Sequence, residues 1–133
     1  MTPDLDGVRS ALRRAWGPDT CAPEDVAAWQ AGNPARGQCI VTALVVHDHV
    51  GGELVRGEVH VAGERVDFHW WNRLPDGTDV DLTREQFGAH ETVTGAVTVA
   101  RPVEPGRLHD EYTRLRDRVD ALLSADAAVV RRY

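Results

Sequence analysis

Apolar and polar positions follow two different periods along this chain, and the change falls near residue 52. Before it, Leu5, Val8, Leu12 and Trp16 recur at helical spacing until Gly17-Pro18 stops the run. Thr2 is placed to cap this helix, with Pro3 at its first position. Cys21 to Gln30 predicts a short second helix, beginning at Pro23-Glu24-Asp25 and turning Trp29 inward. Asn33 to Gly37 is a turn-rich lead into the densest apolar stretch, six of the seven positions from Ile40 to Val46. Its β-branched residues fit a buried strand as well as a helix, and periodicity does not separate the two. The Gly51-Gly52 pair that ends it favours a helix, because glycine takes the left-handed stop conformation at little cost. Apolar nearly all round, that helix is expected to be the buried axis of the fold.

After Gly52 the pattern is that of strands. Leu54 to Val61 and Arg65 to Arg73 are separated by Ala62-Gly63-Glu64, a hairpin turn; Asp79 to Thr83 predicts a third strand and Val93 to Ala100 a fourth. A three-residue loop, Pro75-Asp76-Gly77, would pair Leu74 with Thr78, Arg73 with Asp79 and Trp71 with Asp81. A two-residue turn would slip the pairing by one and put Pro75 in a ladder position, which proline resists. Thr83-Arg84-Glu85-Gln86 fits a capping box, so a helical turn should carry Phe87 back to the core. A last helix from Arg107 to about Ser124 carries a Leu108, Tyr112, Leu115, Val119, Leu122 stripe, and the final ten residues are expected to fray. The order implies one α+β domain over 1–133. In it a central buried helix packs on a three- to four-stranded antiparallel sheet with flanking N- and C-terminal helices.

Composition narrows the partners. The chain has 133 residues, 42% apolar and 27% charged, with a formal charge of −6. That charge argues against nucleic acid or an anionic membrane as the main partner. All 15 basic residues are Arg, which reads as codon bias rather than mechanism. No segment approaches the roughly 20 apolar residues of a membrane span, and the first residues lack a signal pattern. A cytoplasmic location is the expectation. With it, Cys21 and Cys39 are expected to be free thiols, Cys21 a small buried hydrophobe.

Cys39 would stand at the start of the buried helix, where unpaired N–H groups and the macrodipole favour a thiolate. On the three-residue-loop register, His69, Trp71, Asp79, Asp81 and Thr83 share a face, with His69 diagonal to Asp81 and within reach. These are the parts of an acyl-transfer site. The Cys39 thiolate attacks a carbonyl, His69 takes and returns its proton, and Asp81 fixes the imidazole tautomer. The Cys39 N–H, with Gln38 or Asn33, would stabilise the oxyanion, and Trp71 would wall the site. Asp79 is a rival for Asp81. Asn72 falls on the opposite face, where a structural role is expected, and Trp70 belongs to the core. Residues two apart on a helix diverge by roughly 200°, so His47-Asp48-His49 reads as a polar helix end rather than a metal pair. The spacing of Cys39, His69 and Asp81 is not that of a zinc site, and neither a metal nor a cofactor is expected. Arg114, Arg116 and Arg118, interleaved with Asp117 and Asp120, read as a solvated helix face.

Several stretches together resemble the small bacterial YunG family over about positions 16–125. They are Gly37-Gln38-Cys39, Thr42-Ala43-Leu44-Val45-Val46, Gly51-Gly52-Glu53-Leu54, the run from His69-Trp70-Trp71 to Gly77, and Asp81-Leu82-Thr83-Arg84-Glu85-Gln86-Phe87. More distantly, the order of a Cys at a helix start, a His on a strand and an Asp on the next strand is similar to the papain-like and transglutaminase-like superfamily. There the Asp often stands in Asp-Pro-Thr; here the sequence is Asp81-Leu82-Thr83. The resemblance implies a minimal papain-like core with Cys39, His69 and Asp81 as its triad, acting on a small-molecule or peptide substrate. At 133 residues the stretch is very short for that superfamily, so its substrate-binding subdomains are expected to be missing, and a non-catalytic peptide- or ligand-binding domain is the alternative.

Overall fold

The computed structural model describes residues 4–102, 106 and 108–131. Helix α1 (Leu5–Ala15) is capped by Asp4, whose Oδ1 accepts from the Gly7 N–H at 2.8 Å. Asp4 thus fills the role expected of Thr2, which with Pro3 lies outside the described residues. The second helix is a 3₁₀ turn, Pro23–Ala28, with no buried residue. Helix α2 (Cys39–Val50) buries Val41, Thr42, Ala43, Val45 and Val46 and stops at Gly51, at φ +72°. Gly52, at φ +85°, lies where a Cβ would come within 2.2 Å of the Arg73 carbonyl oxygen, so the helix-to-strand passage needs glycine there.

Four antiparallel strands follow: β1 (Glu53–Val61), β2 (Glu64–Arg73), β3 (Asp79–Val80) and β4 (Glu91–Val99), in the spatial order β3-β2-β1-β4. Arg73 faces Asp79, and the Leu74 N–H donates to the Thr78 carbonyl at 2.8 Å. The three-residue loop is therefore the one formed. The third strand is shorter than expected, because Asp81 to Thr83 leave the ladder and turn their side chains to other work. Gly57 on β1 faces His69, and β1's register against β4 shifts there. A Cβ on Gly57 would strike the Trp71 ring at 2.8 Å and the Gly95 carbonyl at 2.7 Å. That glycine is what lets Trp71 lie across the neighbouring strand.

The last helix, α3 (His109–Arg131), extends beyond the expected end at Ser124, and its helical backbone continues where fraying was expected. Leu115 and Val119 are fully buried against Val8, Leu12, Val45 and Val46. Arg114 and Arg118 do more than face solvent: both bind Asp19 and tie α3 to the loop after α1. The architecture is α+β, with helices on both sides of the sheet and α2 as its buried axis.

Candidate functional site

Cys39 is the first residue of α2, and the preceding Gln38 supplies no side-chain cap. The backbone N–H groups of Trp70 and, less, Ile40 act on the sulfur in the direction that favours a thiolate. Trp70 is free to do so because β3 pairs with β2 only at Asn72 and Arg73, leaving that edge open at Trp70. Burial nevertheless prevails: it pushes the thiol up to about 12, against the two N–H groups, and the charges of Asp67 and Asp81 act in the same direction as burial. The expectation of a resting thiolate is corrected: desolvation at the innermost helix outweighs its N-terminal field, and Cys39 keeps its proton at neutral pH.

His69 is fully buried on β2. Its Nε2 lies 2.6 Å from Asp81 Oδ2, while Asp81 Oδ1 accepts from the Thr83 N–H at 3.3 Å and the Thr83 hydroxyl at 3.5 Å. Trp71 stacks on the ring at a centroid distance of 5.6 Å, and Phe87 meets it edge-on at 4.7 Å. A carboxylate only accepts, so in the neutral ring Nε2 carries the hydrogen and Nδ1 the lone pair. Among the described residues that buried Nδ1 has no hydrogen-bond partner. Asp79, the rival carboxylate, is engaged elsewhere: it binds Arg73 at 2.7 Å and accepts from Trp71 Nε1 at 3.2 Å.

The structure therefore brings His69 and Asp81 together, while Cys39 lines a different cleft from Asp81. The Trp70 amide that acts on the thiol is the peptide link to His69, yet among the described residues no hydrogen bond joins Cys39 to the ring. Cys39 opens into a cleft of about 250 Å³ whose walls include Arg36, Asp67, Gln86, Phe87 and Glu91. Asp81 and Trp71 line a second, shallower hollow of about 830 Å³, which shares Phe87 and Glu91 with the first.

Two expected oxyanion donors are committed to holding the fold. Gln38 is fully buried; its Nε2 donates to the Gly17 carbonyl at 3.0 Å and its Oε1 accepts from Thr20 at 2.8 Å. Asn33 donates to the Gln86 carbonyl at 3.2 Å. Asn72 is structural, donating to the Ala43 carbonyl on α2 at 2.9 Å. The residue that sequence reasoning missed is Gln86. It ends a 3₁₀ turn, Arg84–Gln86, in which Thr83 makes no side-chain cap, so the capping box is not formed. Its Oε1 instead accepts from the Gly37 N–H at 3.1 Å, and its buried Nε2 has no partner among the described residues. The capping-box pattern concealed it, since the same Gln fits both roles.

Cys21 is buried as expected, its thiol pushed up to about 11 by burial first and by Asp25 next. Gly37, at φ +72°, packs on it so closely that a Cβ would lie 2.5 Å from the Cys21 sulfur. His47 and His49 diverge, to Arg101 at 2.9 Å and to Asp120 at 3.2 Å.

Comparison with known proteins now places the chain. The family model described as YunG protein matches residues 4–124. The chain belongs to the YunG family. A curated relative, the uncharacterized protein YunG of Bacillus subtilis (strain 168), is 32% identical over 85 residues, which is 64% of this chain and 64% of that protein. The alignment thus spans a little under two thirds of this YunG relative. No solved structure matches.

Proposed function

We propose that this YunG-family protein is a cysteine-dependent acyl-transfer enzyme, of amidase, peptidase or amide-exchange type. The observation that carries the reading is the orphaned Nδ1 of His69. A histidine kept only for packing would satisfy both nitrogens; leaving one buried and unpaired costs about 1–3 kcal/mol. Asp81 at 2.6 Å presents that nitrogen as a base, and the Cys39 thiol, protonated at rest and acted on by the amide of Trp70, the residue after His69, is the proton donor assigned to it. Catalytic hydrogen bonds are often long in an empty site and tighten when substrate binds. On this reading the Cys39 sulfur bonds to the substrate carbonyl carbon as its proton passes to Nδ1. The imidazolium, held by Asp81, then protonates the leaving amine, and the thioester is released to water or to a second amine. The order of Cys, His and Asp, similar to that of papain-like and transglutaminase-like enzymes, supports the assignment.

The test is acylation by p-nitrophenyl acetate at neutral pH. One acetyl group should map to Cys39 with release of one equivalent of p-nitrophenolate, and Cys39→Ala should abolish both. An unmodified Cys39, or acetylation confined to other residues, contradicts the proposal. It would favour the second reading, a binding domain using the same cleft, for which the raised thiol and the absent Cys39–His69 hydrogen bond speak.

A further inference from the structure

Among the described residues, the buried side-chain nitrogens or oxygens without a hydrogen-bond partner are Arg36 Nε, His69 Nδ1 and Gln86 Nε2. Two of these residues, Arg36 and Gln86, line the cleft of Cys39, and the third packs on Phe87, which lines it too. Unpaired polar atoms gathered around one cleft mark where a ligand would supply the missing partners. Arg36 is the weakest of the three, because Asp25 stands 3.3 Å from its Nε and Glu91 3.3 Å from its Nη1. His69 already has a role as base. Gln86 has none.

We infer that the side-chain amide of Gln86 receives the carbonyl oxygen of the substrate as it turns into an oxyanion. The inference rests on the acyl-transfer reading above. The orientation of the amide is settled by chemistry: the Gly37 N–H can only donate, so Oε1 must face it and Nε2 must face away. The same bond fixes the amide to the segment two residues before Cys39, so sulfur and amide are held to one piece of backbone. The turn Arg84–Gln86 is fastened from the other side as well. Asn33 donates to the Gln86 carbonyl at 3.2 Å and Arg36 at 3.5 Å. A donor fixed in this way needs no reorganisation when negative charge develops, which is what makes such a group effective. Its buried Nε2 carries the two N–H groups that are met as the substrate settles into the cleft. Gln38 and Asn33, the donors that the sequence suggested, are spent on the fold, which leaves this position to Gln86.

Two electrophiles separate the role from a structural one. Iodoacetamide alkylates the sulfur by displacing iodide and develops no oxyanion. p-Nitrophenyl acetate is attacked at its carbonyl, develops one, and then expels p-nitrophenolate. The ratio of the two rates at Cys39 therefore reports oxyanion stabilisation with thiol reactivity divided out. Gln86→Glu keeps the acceptor for Gly37 and removes the donor, whereas Gln86→Met removes both. The ratio should fall about 100-fold in each variant. A ratio that stays at the parent value in Gln86→Glu overturns the assignment, whether or not Gln86→Met falls, since the clamp alone would then explain Gln86. Should both variants fail to fold, the unaltered protein still decides. On adding N-acetylglycinal, which forms a thiohemiacetal with the thiol, the Gln86 side-chain amide NMR signals should shift, and unmoved signals overturn the proposal. A Cys39 inert to both electrophiles removes the acyl-transfer reading and this inference with it. A reactive Cys39 with an unchanged ratio removes this inference alone.

Discussion

The two ends of α2 are built on opposite principles. At the C-terminal end every polar side chain has a partner. His47 meets Arg101 at 2.9 Å, His49 meets Asp120 at 3.2 Å, and Asp48 holds both Arg101 at 2.7 Å and Tyr112 at 2.5 Å. The Gly51 N–H closes the last turn on the His47 carbonyl at 3.0 Å. The N-terminal end has no side-chain cap, a thiol pushed up by burial, and unpaired nitrogens on His69 and Gln86. One end is satisfied and fastens α3 to the core. The other carries a free-energy cost that folding alone does not explain, and it is there that a ligand has something to add.

This contrast is broken most forcefully at Asp81. Asp81→Asn would offer Nε2 an amide in place of a carboxylate and release the tautomer. Acylation of Cys39 by p-nitrophenyl acetate should drop on the order of 1,000-fold, followed by p-nitrophenolate release. A change below tenfold would mean that the carboxylate only fills space. Gly37→Ala attacks the same end through the backbone. A Cβ forced against the Cys21 sulfur at a positive φ should cost about 2–3 kcal/mol in urea unfolding. A neutral result would mean that the segment before Cys39 is not held by this contact.

The satisfied end predicts the reverse pattern. Arg101→Ala should lower stability by about 1–2 kcal/mol, since it strips a partner from Asp48, His47 and Tyr112 at a pair whose side chains are 32% and 29% exposed, and leave acylation of Cys39 within twofold. The smallest effect is one of pH. Burial raises Cys39 and Cys21 above the ordinary thiol range, to about 12 and about 11, so the unfolded chain loses these protons first. Their contribution is fully present below about pH 8.5, the pKa of a free thiol, and is lost as pH rises toward the folded values. Melting temperature should therefore fall between pH 9 and 11 (a window set by those values), and less steeply in Cys39→Ala. Equal slopes would contradict the raised Cys39 thiol.

Much of this was written in local pattern. The glycine pair after Val50 stops α2, the Pro75-Asp76-Gly77 loop sets the register, and that register brings Asp81 rather than Asp79 to His69. Each of these depends on neighbours in sequence or across a single turn. What stayed hidden depends on distant partners. Gln38 looks free beside Cys39 until Thr20 and the Gly17 carbonyl are seen to hold it. Gln86 looks like a helix cap until Gly37, 49 positions away, claims its oxygen. Thiol ionisation is a balance between burial and two N–H groups, and the residue types alone do not set it.

The measurement that reaches the centre of this account is the rate of Cys39 acylation by p-nitrophenyl acetate from pH 5 to 10, in the parent protein and in His69→Ala. If His69 accepts the thiol proton, the parent rate levels off before pH 9, while that of His69→Ala is far lower at neutral pH and keeps climbing with the free thiolate. Two coincident curves that both rise to the alkaline limit would show the thiol reacting alone, with the imidazole a bystander.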